Sequence, residues 1–285
     1  PMLKLVDAGE VNETLLAMIR ANTRLPVDTV GDTYALLGCN DVGCQRLTEM
    51  MSEFALEDLE ALGDHICDRS EQAVLEEIAR LPKGSWTNTM VTDGYDAPVA
   101  LTATVTVSDN GIHVDYTGTD AMVSRGINVP MAYCTAYTVF GLSCIVGSRI
   151  PKNAGSLKPL TVSAPEGSIV NAPKPAAVAS RHIIGQMLPD VVFGCLHQAI
   201  PEQVPAEGTS CIWNLNVRGK LKSGQGGNYG FSMAFTSNGG TGARPQSDGL
   251  SATAYPSGVK GTPVEIAEQI TPLLFWRKEF RSDSG

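Results

Sequence analysis

The sequence predicts an α+β fold: an N-terminal helical segment followed by a mixed β-sheet region with packed helices. Three observations carry this reading. Residues 9–82 repeat their apolar positions every three to four residues, the period of an amphipathic helix. Residues 99–116 alternate apolar and polar side chains, the period of a strand. Residues 130–146 are apolar and aromatic nearly throughout, which marks a buried helix. The division expected from this change of period is a helical segment at 1–84 and an α+β domain at 85–285.

The elements follow in order. Glu10 to Asn22 places Val11, Leu15, Met18 and Ile19 on one side. After Pro26, Val27, Val30, Tyr34 and Leu37 repeat at helical spacing, and Leu47, Met50, Met51 and Phe54 continue the stripe. A third helix is expected from about Leu56 to Leu81, ended by Pro82-Lys83-Gly84. Between Glu53 and Glu77 stand nine acidic residues against one arginine, Arg69. Acid at this density reads as a solvated helix face, or else as an acidic face for a partner. Val99, Leu101, Ala103, Val105 and Val107 then alternate with Ala100, Thr102, Thr104 and Thr106. Asp109-Asn110-Gly111 follows, and Ile112, Val114 and Tyr116 alternate again, so a hairpin with an Asn-Gly turn is expected. Ala176 to Ile200 reads as helix, with Pro189 opening a new segment. Further strands are expected at Cys211–Val217, Tyr229–Thr236 and Leu273–Glu279, separated by glycine loops at 223–230 and 238–249.

Composition excludes several classes. Of 285 residues 43% are hydrophobic and 18% charged, ordinary for a chain with a real core. A net charge of −9 offers no basic face, so neither nucleic acid nor an anionic membrane is expected as a partner. No apolar run is long enough to cross a membrane, and the N-terminus does not read as a signal peptide, so a cytoplasmic location is expected. Position 1 is Pro rather than Met, so the chain is expected to begin within a longer polypeptide. Seven cysteines without CxxC spacing read as buried, reduced thiols. GQGGNYG at 224–230 and GGTGARP at 239–245 fit neither G-x-G-x-x-G nor a P-loop, so no nucleotide site is expected.

Three stretches hold the candidate site residues. In SNGGTGARPQSDG (237–249), successive glycine N–H groups with the planar fork of Arg244 suit an anion, whereas Asp248 pairing with Arg244 would brace the loop. In DYTGTDAMVSRGINVP (115–130), Asp120 and Asn128 lie past a strand end, where they either face a cleft or cap the next helix. The stretch from Arg149 to His182, RIPKNAGSLKPLTVSAPEGSIVNAPKPAAVASRH, is broken by five prolines, so its backbone path is largely prescribed. It contributes Asn153 and Arg181. Among the four histidines none pairs at metal-ligand spacing, and only His182, beside Arg181, is a site candidate.

Taken together, these motifs in this order, with GDTYALLGCNDVGCQRL before them and RSDSG at the end, resemble the hydantoinase B/oxoprolinase family, the B subunit of N-methylhydantoinase-type enzymes. The resemblance spans essentially the whole chain. It implies an ATP-dependent chemistry shared between subunits of a hetero-oligomer. A hydantoinase A-type ATPase subunit would phosphorylate the substrate oxygen. The B subunit would complete hydrolysis of a small cyclic amide, or a carboxylation as in acetone carboxylase. Family members carry a G-T-H-L-P-D-like motif and a His-rich segment that supply metal ligands, and neither is matched here. The resemblance therefore implies that ATP is bound by the partner, that a divalent metal belongs to a preceding part of the protein, and that this segment binds no cofactor. A non-catalytic scaffold that keeps only the subunit interface is the alternative. Motif positions carried over are Gly118, Thr119, Asn128, Asn153, Gly155, Arg181, Gly240, Gly242, Arg244 and Asp248. Asn128, Asn153, Arg181, Arg244 and Asp248 are the expected substrate-binding residues.

Overall fold

Residues 2–210, 212–222, 228–253 and 255–280 are described by a computed structural model of the chain. The expected strand start at Cys211, most of the glycine loop at 223–230 and the terminal motif at 281–285 lie outside the described residues. Two units are distinguished, Pro1–His65 and Ile66–Gly285, with the division inside a helix.

The first unit opens with a two-stranded ribbon, β1 (Val6–Asp7) and β2 (Glu10–Val11). Helix α1 (Glu13–Asn22) begins where the Asn12 side chain accepts from the Leu15 amide at 3.0 Å, satisfying one of the donors a helix start leaves free. Helix α2 (Pro26–Glu53) starts at a proline, whose missing N–H costs nothing there. Its expected stripe is only partly covered: Val30, Leu37, Met50 and Met51 are half-buried, Val27, Tyr34, Leu47 and Phe54 are exposed, and none of its 28 residues is fully buried. Cys39 and Cys44 are consequently exposed, as is Cys144, against the expectation of buried thiols; Cys134 and Cys195 are buried. Residues 1–65 hold twelve acidic and four basic side chains, so nearly all of the net negative charge of the chain belongs to this unit.

Helix α3 (Glu60–Ala79) crosses the division, and its later turns bury Ser70, Val74 and Ile78 in the core of the second unit. That core is built on a four-stranded sheet in the order β3 (Gly84–Thr92), β4 (Val99–Ser108), β5 (Gly111–Asp115), β6 (Leu160–Ser163). The β3/β4 and β4/β5 pairs are antiparallel and β5/β6 is parallel. A parallel pair needs a long crossover, and residues 116–159 supply it with α4 (Met131–Val146) and the one-turn α5 (Ala154–Leu157). Leu101, Ala103 and Val105 are fully buried on one face of β4. This face is covered by α7 (Leu188–His197), while α4 packs on α7 and β6. The opposite face is a row of cross-strand hydroxyl pairs: Ser85–Thr106 and Thr87–Thr104 at 2.8 Å, Thr89–Thr102 at 2.9 Å.

Several expectations are corrected. Strand β3 was not evident from sequence, because Asn88 stands on its inward face. The structure explains that residue: its amide donates to the Val191 carbonyl at 3.2 Å, and a Cβ at Gly194 would come within 2.0 Å of it. The β4–β5 turn falls on Asp109-Asn110, neither of which has positive φ. Gly111 instead opens β5 at φ 144°, with the Pro159 carbonyl only 2.2 Å from where a Cβ would sit. The expected helix from Ala176 begins later, as α6 (His182–Gly185), because the Ser180 amide is drawn to the Gly126 carbonyl at 2.7 Å. Strands β7 (Ile212–Lys222) and β8 (Asn228–Asn238) form a separate antiparallel ribbon. Helix α8 (Val264–Ile270) follows, but Leu273–Glu279 is no strand: the Phe275 amide donates to the Glu268 carboxylate at 2.7 Å instead of to a strand, and its ring meets Phe235 of β8.

The two faces of β4 predict opposite sensitivities. Leu101→Ala is expected to lower the unfolding free energy by about 2–5 kcal/mol through the cavity it leaves. Thr104→Val, which removes one hydroxyl of an exposed pair, should cost under about 1 kcal/mol. Urea denaturation of both variants measures the difference.

Candidate functional site

The loop after β5 shows how motif residues are used. Beyond the end of β5 the β4 edge at Ala100 and Thr102 has no strand partner. Thr119 and Asp120 take that place. The Thr119 hydroxyl accepts from the Thr102 amide at 2.9 Å and donates to its carbonyl at 2.8 Å. The Asp120 carboxylate accepts from the Ala100 amide at 2.7 Å, while its own amide donates to the Ala100 carbonyl. Asn128 is fully buried. Its carbonyl accepts from the Val123 amide at 2.8 Å, and its NH2 group donates to the carbonyls of Val123, Arg125 and Ala177. Its polar atoms are all engaged with backbone, and it ties the 123–128 loop to the segment leading into Arg181.

Asn153 caps α5 in a capping box with Ser156 and donates to the Ser70 hydroxyl at 2.8 Å, which fastens α5 to α3. Gly155 lets that approach happen: a Cβ there would lie 1.9 Å from the Cys67 carbonyl oxygen. Arg244 and Asp248 share one tight turn, but the guanidinium donates to the Asp248 backbone carbonyl, at 3.0 and 3.3 Å, not to its carboxylate. Both side chains face solvent. The glycines around them serve close backbone passage, with a Cβ at Gly242 1.9 Å from the Ala206 carbonyl oxygen.

A denser constellation surrounds Arg181. Its guanidinium lies over the ring of Tyr133, 5.5 Å from the centroid, a favourable cation–π position. Tyr133 stacks on Tyr137 at 4.4 Å between centroids, one helical turn along α4. The Tyr137 hydroxyl meets the Ser257 hydroxyl at 2.7 Å, and Ser257 also contacts the amide of Gln186, which is fully buried. Next to Arg181, His182 places its Nε2 3.1 Å from the Asn214 amide. Partial burial, and then the positive charge of Arg181, hold the imidazole below its usual pKa, so it is neutral at neutral pH. On α7, Asp190 is almost fully buried and accepts from the Ser210 hydroxyl at 2.6 Å and the Gly208 amide at 3.2 Å. Burial pushes its carboxyl pKa up. Tyr255 closes the group, its ring 6.0 Å from Phe140 and its hydroxyl pKa also raised by burial.

Of the five expected binding residues, Arg181 stands in this constellation, Asn128 supports the segment before it, Arg244 and Asp248 share a separate turn, and Asn153 lies against α3. Tyr133, Tyr137, Gln186, Asp190 and Tyr255 were not singled out from sequence. Tyr133 and Tyr137 carried a legible signal, an aromatic pair at i, i+4. Among the described residues no three of His, Cys, Asp or Glu converge to hold a metal ion, so a resident metal does not fit the donors present. No helix among them is long and apolar enough to cross a membrane.

A sequence model described as Hydantoinase B/oxoprolinase matches residues 1–285. The chain belongs to the hydantoinase B/oxoprolinase family. It is 30% identical over 301 residues to a protein of Pseudomonas sp. (strain NS671) provisionally named as the B subunit of a D-/L-hydantoinase, an alignment covering 99% of this chain and 49% of that protein. The fold is that of an ATP-dependent caprolactamase from Pseudomonas jessenii, with a TM-score of 0.86 at 23% identity, covering 97% of this chain and 49% of the other. It also matches a nucleotide-free acetone carboxylase, with a TM-score of 0.74 at 15% identity, covering 95% and 38%. The chain spans about half the length of the hydantoinase relative it matches.

Two outcomes are expected. The His182 titration midpoint, followed by NMR, lies below 6.5 and moves upward in Arg181→Gln. Because the folded state binds this proton less tightly than the unfolded chain, the associated stability is lost as pH falls from 6.5 through the folded midpoint. Asn128→Ala should destabilise the second unit by about 2–4 kcal/mol, since it strands four backbone groups; thermal and urea unfolding measure this.

Proposed function

We infer that this chain is a portion of the B subunit of an ATP-dependent cyclic-amide hydrolase, acting on a substrate phosphorylated by an A-type ATPase subunit. The observation that carries the reading is the family match over residues 1–285. The Arg181 constellation supports it with chemistry suited to an anionic, amide-derived intermediate. A cyclic amide is a poor electrophile. Phosphorylating its oxygen makes the ring carbon attackable by water; the ring C–N bond then breaks as the nitrogen takes a proton, and a second water releases phosphate. Arg181, over the Tyr133 ring, and the exposed Arg244 are each proposed to contact the phosphoryl charge. His182, neutral at working pH, is proposed to take a proton from the attacking water. Asn128, Asn153 and Asp248 are proposed to position the segments that carry these groups. Residues 66–285 are close to electrically neutral, so an anionic substrate meets little repulsion from this unit. The nucleotide is proposed to be bound by the A-type subunit, in a cytoplasmic hetero-oligomer.

The test is ATP-dependent ring opening by the complete complex. Arg181→Gln and Arg244→Ala should each lower kcat/KM by roughly 10- to 100-fold, the worth of a charge-assisted hydrogen bond, with unfolding free energy changed by under about 1 kcal/mol. Unchanged turnover would remove that arginine from the site. Bicarbonate-dependent carboxylation in place of ring opening would move the protein to the carboxylase branch.

A further inference from the structure

Among the described residues, four enclosed side-chain polar atoms have no hydrogen-bond partner. Two of them, the Gln186 side-chain carbonyl oxygen and the Tyr255 hydroxyl, belong to one seam, where residues 255–257 cross α4 and the α6–α7 segment. Gln186 is fully buried. Its amide has two polar atoms and Ser257 engages one of them, so whichever way the amide is turned the other is left over. Tyr255, two residues from Ser257, stands against Phe140 of α4. Burying a polar atom without a partner costs about 1–3 kcal/mol, so folded proteins rarely keep two in one place without a use. Tyr255 packs on the hydrophobic core and against Phe140, so its ring is accounted for by packing while its hydroxyl is not.

We propose that this seam receives the amide group of the cyclic substrate before its oxygen is phosphorylated, with the Tyr255 hydroxyl donating to the ring carbonyl and the Gln186 side-chain carbonyl accepting from the ring N–H. The assignment rests on the function inferred above and adds to it the groups that select the substrate. A planar lactam presents one acceptor and one donor side by side, which is the complement of one free hydroxyl and one free amide oxygen. Phe140, beside Tyr255, offers an apolar contact for the methylene side of a small ring. Selection then works by leaving protein groups unpaired when the ligand lacks the matching atom.

Tyr255→Phe separates this role from a structural one. Among the described residues the hydroxyl has no partner, so its removal should leave the melting temperature of the complete complex unchanged or raise it. KM for an unsubstituted five-membered lactam or hydantoin should nonetheless rise roughly tenfold or more, the worth of one unmade buried hydrogen bond. Gln186→Met should do the same for a ring bearing N–H and change little for the N-methylated ring. Unchanged KM in Tyr255→Phe, or equal effects of Gln186→Met on the N–H and N-methyl rings, would overturn the proposal and leave the atoms to bridging water. If the complete complex opens no ring, the inferred function fails separately. Binding of the same lactam by the complex, followed by ligand-observed NMR with Tyr255→Phe as control, still decides the seam.

Discussion

Strand β4 must be kept dry on one side and wet on the other. Leu101, Ala103 and Val105 point to the core, and Thr102, Thr104 and Thr106 point away, so no shift by one residue is tolerable. Helix α7 lies on the apolar side, fitted to β3 through Asn88 and Gly194. Helix α4 packs on α7, with Gly141 passing the Pro189 backbone closely enough that a Cβ would sit 3.0 Å from it. These contacts fix where Tyr133 and Tyr137 on α4 stand relative to Gln186 and Asp190. The candidate site is therefore a by-product of how two helices cover one face of the sheet, and its geometry is as firm as that packing.

Much of this was legible in the sequence. The alternation in 99–116, the apolar stretch 131–146 and the proline at 26 each correspond to an observed element, because each follows from a local rule of period or of backbone freedom. What was not legible depended on distant partners. Asn88 breaks the alternation of β3 for the sake of a helix about a hundred residues away. Leu273–Glu279 has strand-like composition, yet the Phe275 amide is taken by the Glu268 carboxylate of the preceding helix. The late start of α6 depends on Gly126, far upstream.

The site shows the same division. Motif membership pointed to Asn128 and Asn153, and the structure spends their side chains on backbone and on capping. Such residues are constrained by the folding of loops as strongly as any ligand-binding group would be. The residues with chemistry to spare are less conspicuous in sequence. Gln186 and Tyr255 sit in ordinary helical and loop contexts, and only the three-dimensional inventory of donors and acceptors sets them apart. Arg181 bridges the two categories, for it lies in a motif and also retains an exposed charge over Tyr133.

The pairing of Thr119 and Asp120 with β4 bears on solubility. Where β5 ends, β4 would otherwise expose free N–H and C=O groups beside an apolar face, the template on which chains join edge to edge and aggregate. Two side chains and one turn occupy that template without adding a strand. Left open at that point, the edge would invite a stray strand in competition with the native turn.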